Sequence, residues 1–336
     1  MRRTLRRILP LPFFGFNGIN KVSMTAFFGR CRRALFGISD AETRVERRGF
    51  KVGDDRVKAR IDHIGKSFVD GYHAALLDND PLRLTEHLNA IGDNEWRGFF
   101  FEGAAMGLVI SDFLCPWQPS RFQAFLTGPA QHHAYMLHVG AGWALARLPV
   151  SPARLTSRMD SLLRWLVLDG YGFHEGYFHW PDSIGRQQCP SCLQGYEKRA
   201  FDQGLGRSLW FVMGADPERI VSGLQNFPPD RLGDLWSGVG LAGAYAGGVE
   251  PEVLERLKIL AGDFAAHLAQ GAAFAAKARQ RAGNPTEHTE LACRIFCNLS
   301  AEHAAQLTDD ALRKAPADNA LPAYEHWRQR IRQHFI

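Results

Sequence analysis

Residues 201–217, FDQGLGRSLWFVMGADP, set the reading of the whole chain. The same design returns at 234–251, DLWSGVGLAGAYAGGVEP, and at 267–285, HLAQGAAFAAKARQRAGNP. Each window has a glycine inside a run of Ala, Leu and aromatic residues without β-type alternation, and each ends on a polar residue followed by proline. Gly204, Gly238 and Gly271 are separated by 34 and 33 residues, and Pro217, Pro251 and Pro285 by 34 and 34.

Working outward, the proline series extends to positions 81, 116, 149, 181 and 316, and the glycine series to Gly71, Gly103, Gly140 and Gly176. Asp80-Pro81, Asp216-Pro217, Glu250-Pro251 and Asn284-Pro285 read as a capping residue followed by proline at the first helical position, where its missing N–H costs nothing. A glycine inside a helix costs about 1 kcal/mol relative to alanine. Recurrence at matched positions implies a shared compensation, which we expect to be close approach of neighbouring helix backbones. The expected fold is all-α, built of helical hairpins repeating about every 34 residues and stacked as an α-solenoid or closed into an α/α ring. The tetratricopeptide signature is absent. Trp327, Ile331 and Phe335 form one apolar stripe, fit to cap the last hairpin.

The chain has 336 residues and a net charge of +5. Residues 1–48 carry eleven Lys/Arg against three Asp/Glu, so this arm holds +8 and the remainder −3. A basic body would suggest nucleic acid, and none is expected as a partner. Phe13, Phe14, Phe16, Phe27, Phe28 and Phe36 interleave with the arm's charges, a pattern suited to a membrane surface or an acidic partner, or to a solvated leader. The expected division is a basic aromatic arm over 1–48 and a single all-α repeat domain over 49–336. Pro10, Pro12, Gly15, Asn17 and Gly18 interrupt the apolar stretch after Arg2, Arg3, Arg6 and Arg7, so a secretion signal is not expected. With no long apolar span either, the expectation is a cytoplasmic protein, peripheral to the membrane through the arm.

The residue before each glycine is often polar: Asp70, Glu102, Glu175, Gln203, Ser237 and Gln270. In a stacked array such positions face one way and line a common groove, or else they satisfy neighbouring helices. The densest window is DGYGFHEGYFH at 169–179. Glu175 and His179, four apart, share a helix face and suit acid/base work or a structural hydrogen bond. His174 and His179, five apart, diverge by about 140° on a helix, so a joint metal site is not expected. Gln203 and Arg207 share a face beside Asp202; Arg207 suits a carboxylate, a phosphate or an acidic carrier protein, and equally an internal ion pair. Cys189-Pro-Ser-Cys192 is one knuckle where zinc sites use two, so neither zinc nor any other cofactor is expected. The candidate catalytic residues are Glu102, Glu175, His179 and Asp202. Those for substrate binding are His138, His174, Arg207, Trp210 and Trp236.

DGYHAAL at 70, HVGAGWALARLP at 138, LDGYGFHEGYFHW at 168, FDQGLGRSLWF at 201 and PPDRLGDLWSGVGLAGAYAGG at 228 also resemble the UnbL-like family, from about Phe36 to the C-terminus. That bacterial family accompanies enediyne polyketide synthases. The resemblance implies an accessory role in natural-product biosynthesis, with a hydrophobic polyketide-type small molecule or an acyl carrier protein as partner, but supplies no reaction. The alternative is a non-catalytic helical scaffold that binds a carrier protein or membrane partner.

Overall fold

Capping chemistry starts many of the helices. Asp80 accepts hydrogen bonds from the backbone N–H of Leu82 and Arg83, Ser151 from Arg154 and Asp216 from Arg219, each one residue before a proline-led helix. In the computed structural model, residues 21–91, 93–313 and 318–336 are described. The arm's residues 1–20 and Pro316 lie outside them. Among the described residues there is no strand, and no helix is long and apolar enough to cross a membrane.

In chain order the helices are α1 (Lys21–Phe36), α2 (Val45–Arg48), α3 (Asp55–Leu77), α4 (Pro81–Ala90), α5 (Arg97–Leu114), α6 (Arg121–Thr127), α7 (Ala134–Leu145), α8 (Pro152–Thr156), α9 (Trp165–Phe178), α10 (Tyr196–Val212), α11 (Pro217–Leu224), α12 (Pro229–Ala246), α13 (Pro251–Ala261), α14 (Ala265–Ala282), α15 (Glu287–Cys297), α16 (Ala301–Arg313) and α17 (Ala323–Gln333). A π-helical turn, Pro181–Gly185, stands between α9 and α10. One expectation fails here. Pro285 does not begin a helix, because Thr286 is the cap of α15 and accepts from the Thr289 N–H.

The longer helices α3, α5, α7, α9, α10, α12, α14 and α16 pack in that order, each on the next. Shorter elements lie between them in sequence, and α11, α13 and α15 pack on one another in turn. Flanked on both sides, α5 and α7 are apolar all round, and every residue from Gly98 to Ser111 is buried. The order also curls back on itself. Arg60 of α3 donates to the Ala246 carbonyl at 2.6 Å, and Arg279 of α14 donates to the Glu95 carbonyl at 2.8 Å. Part of the basic arm joins this body: Ile38 and Val45 are buried, and the Tyr72 hydroxyl donates to the Phe36 carbonyl at 2.8 Å.

Glycine pairs let the long helices approach this closely. A Cβ on Gly204 would collide with the carbonyl oxygen of Asp169 in α9, and one on Gly206 with that of Leu235 in α12. Two residues apart is about 200° around a helix, so one glycine faces each neighbour. Gly140 and Gly142, Gly170 and Gly172, and Gly238 and Gly240 repeat the arrangement. Cα–H groups set against carbonyls return about 0.5–1 kcal/mol each, offsetting the helix penalty of glycine. In α9 the backbone contacts fall at Gly170 and Gly172, not at Gly176, whose Cβ would meet the Ser208 side chain. Finally α17 packs on α14 and α16, with Trp327 and Ile331 buried and the Trp327 indole donating to the Thr308 carbonyl at 2.7 Å.

Candidate functional site

Moving the α9 glycine from 176 to 170 moves its preceding residue from Glu175 to Asp169. The pre-glycine side chains of adjacent helices then meet. Gln203 Nε2 donates to Asp169 Oδ2 at 2.7 Å, and Ser237 Oγ donates to Gln270 Oε1 at 3.0 Å. Arg207, one turn after Gln203 on α10, ion-pairs Asp169, and its guanidinium lies 4.6 Å from the centre of the Phe173 ring. Gln203 also donates to the Tyr324 hydroxyl of α17 at 3.2 Å.

Glu102, before Gly103 on α5, lies within the electrostatic reach of Arg207 and Asp169. It is 1% exposed, and its Oε1 accepts from the Trp143 indole of α7 at 3.0 Å. Burial pushes its carboxyl up to about 7, against the attraction of Arg207 and the Trp143 hydrogen bond, while Asp169 adds to the rise. Burial pulls Arg207 down, but Asp169 and Glu102 outweigh it and its pKa rises. The result is a buried carboxyl lifted towards neutrality among apolar walls, within the electrostatic reach of the Arg207 guanidinium, a setting suited to proton transfer. The Tyr245 hydroxyl nearby is buried, and burial raises its pKa.

Two narrow apolar cavities flank this cluster. One is lined by Met136, Val139, Asp169, Arg207, Phe274 and Trp327 and holds about 40 Å³; the other is lined by Ile64, Phe68, Phe99, Glu102, Trp143 and Phe211 and holds about 30 Å³. Each has room for a few waters.

Of the other expected site residues, His174 packs against Trp143 at 5.6 Å, while Asp202, His138, Trp210 and Trp236 have other surroundings. Asp202 is buried, but against Arg231, which donates to Asp202 Oδ2 at 2.9 Å and to the Gln187 carbonyl at 2.9 Å. Burial lifts the Asp202 carboxyl to about 6, with Arg231 opposing. Cys189 borders this pair, and burial raises its thiol to about 11 with Asp202 adding to the rise, so Cys189 is no reactive thiolate. The cysteines are free, with Cys192 exposed. His138 turns its Nδ1 to the Ala134 carbonyl at 2.7 Å, leaves Nε2 buried without a partner and lines neither cavity. Trp210 and Trp236 are core residues outside the walls of both cavities. Glu175 and Asp202 line neither cavity and pair with other groups, so the candidate catalytic residues do not form one carboxylate site.

Glu175 has a neighbourhood of its own. Its Oε1 lies 3.0 Å from His174 Nδ1 and its Oε2 3.1 Å from His179 Nδ1. Both imidazoles thus share one carboxylate, against the expected divergence. The reason is local: α9 ends at Phe178, and His179 has left helical geometry, with φ −127 and ψ 33. Burial pulls the His174 imidazole down, and Glu175 opposes.

Fold and site together define an all-helical protein with a buried, charged cluster among apolar walls. The chain belongs to the family described as "Protein of unknown function (DUF1702)", which matches residues 27–335. No curated protein and no solved structure matches it.

Proposed function

We propose that the chain is an accessory enzyme of natural-product biosynthesis of the enediyne or polyketide type, acting on a hydrophobic polyketide-derived intermediate. Glu102 is its general acid/base, Arg207 the fixed positive charge and Asp169 the group that orients Arg207. One observation carries the reading: the Glu102 carboxyl is fully buried among apolar walls with the Trp143 indole as its hydrogen-bond partner, and that burial lifts its pKa to about 7. Structural carboxylates elsewhere in the core, such as Asp234 and Glu325, are saturated with arginine instead. The sequence resemblance to the UnbL-like family supports the biosynthetic context. A cytoplasmic location, with the arm meeting a membrane surface, belongs to the same reading. So does an α-solenoid or α/α ring as the architecture, supported by the ordered helix contacts and the glycine pairs.

The small size of the cavities favours a second reading, a non-catalytic scaffold that binds an acyl carrier protein or a membrane partner. Glu102→Gln separates the two, because glutamine keeps an acceptor for Trp143 and loses the proton chemistry. Metabolite profiling of a producing strain with this substitution should show product lost and precursor accumulated, with the protein folded. Normal production from that strain, combined with none from a strain lacking the gene, leaves the scaffold reading.

A further inference from the structure

We infer that His174, Glu175 and His179 form a binding site for a divalent first-row transition-metal cation. One donor atom from each of the three residues lies within 4.8 Å of the others. Three protein ligands at about 2.0–2.2 Å from a metal stand roughly 3–3.5 Å from one another. The two nitrogen–oxygen pairs, at 3.0 and 3.1 Å, are already at that spacing. Two imidazoles and one carboxylate form a donor set that suits zinc, iron or cobalt better than magnesium or calcium.

Three further observations separate this cluster from an ordinary hydrogen-bonded trio. First, the buried carboxylates Asp169, Asp202, Asp234 and Glu325 each pair with arginine, whereas among the described residues Glu175, like Glu102, has no Lys or Arg ion pair, and unlike Glu102 it faces two imidazoles. Its negative charge is available to a cation. Second, the ligands are held in place. The His179 N–H donates to the Glu175 carbonyl at 2.9 Å, and the buried Ser183 hydroxyl donates to the carbonyls of both Glu175 and His179 at 3.0 Å. The His174 ring is packed against Phe178 at 4.8 Å and Trp143 at 5.6 Å. Rigid support of this kind is what a metal site needs, and the π-helical turn that begins at Pro181 supplies part of it through Ser183. Third, the site is reachable: His174 is buried, while the His179 side chain is 55% exposed. A bound metal keeps the solvent side open for water or a ligand. The Cys189 and Cys192 thiols are not part of the cluster.

The inference is independent of the Glu102 reading. Its test uses the full chain, stripped of metal with a chelator and titrated separately with Zn²⁺ and Co²⁺. The expected result is one equivalent bound, with the visible absorption of a four- or five-coordinate cobalt(II) centre. His179→Ala and Glu175→Gln should each weaken binding by roughly a hundredfold or more. His179 is exposed, so His179→Ala should leave the melting temperature of the metal-free protein unchanged. Cys189→Ser/Cys192→Ser should bind as the wild type does. Absence of stoichiometric binding, binding unaffected by His179→Ala, or binding lost with the cysteines overturns the assignment.

Discussion

The carbonyl oxygen of Asp169 fills the space that a Cβ on Gly204 would need. The carboxylate of the same Asp169 holds Arg207, one turn further along the helix that carries Gly204. Helix packing and site assembly therefore depend on one contact between α9 and α10.

That contact makes the first prediction. Gly204→Ala gains about 1 kcal/mol of helix propensity, yet it should destabilise the protein on balance, and Gly204→Leu should cost about 3 kcal/mol or more through overpacking. Gly185→Ala is the control, since the nearest atom to its Cβ would be the Trp180 carbonyl oxygen at 3.9 Å. Denaturant unfolding checks the series. Equal stability of Gly204→Leu and wild type would remove close packing as the reason for glycine in these helices.

Much of this was legible in the sequence, and the misses have physical causes. Helix starts at Asp80 and Asp216 are visible because a capping carboxylate followed by proline is a local signal. Glu102, Gln203 and Arg207 follow from their places around a glycine. Asp169 was passed over because the α9 window holds three glycines, at 170, 172 and 176, and only the approach of α10 distinguishes them. Tyr324 joins the cluster from 121 residues beyond Gln203; the apolar stripe of its helix was legible, but no local pattern encodes its reach to α10. The Glu175–His179 pairing follows from their spacing of four, whereas His174 joins the same carboxylate because Glu175 offers a second oxygen to it and α9 ends before His179.

The buried Glu102 gives stability a pH slope of known sign. Its carboxyl is lifted from 4.5 to about 7 in the folded protein, so folding favours the protonated form. Its contribution is fully present below about pH 4.5 and disappears as pH rises through about 7, a change of roughly 3 kcal/mol. Glu102→Gln cannot titrate. The stability of wild type minus that of Glu102→Gln should therefore fall across this window and be flat above pH 8. A flat difference throughout would mean that water reaches Glu102.

Glu325 behaves oppositely. Burial resists its charge, but Arg328, Arg332 and Arg199 outweigh that and hold its carboxyl down to about 2. Its contribution is present above about 4.5 and lost as pH falls towards 2. Glu325→Gln leaves the buried Arg328 to Asp234 alone and should cost about 3–5 kcal/mol at neutral pH. Because α17 carries both Glu325 and Trp327, loss of its docking should appear as a change in tryptophan near-ultraviolet circular dichroism. A cost below 1 kcal/mol would show that the pair is dispensable.

The Asp169–Arg207 pair offers a test of whether the cluster works as one electrostatic unit. Either charge left alone in the core should destabilise the fold, so Arg207→Met and Asp169→Asn should each cost about 3–5 kcal/mol. Arg207→Met/Asp169→Leu should cost clearly less than the sum of the two, because no unpaired charge remains. The effect on Glu102 separates the two single variants. Arg207 lowers the Glu102 pKa and Asp169 raises it, so Arg207→Met should move the Glu102 titration above about 7. Asp169→Asn should move it below that value, by removing the repulsion and freeing Arg207 to attract Glu102. The same stability difference against a Glu102→Gln background reads both shifts. Movement in the same direction, or none, would mean that Glu102 does not sense the pair. If Glu102 transfers the proton in a reaction, the pH limit of product formation must move with its pKa, upward in one variant and downward in the other. A merely structural Glu102 has no reason to produce that pairing.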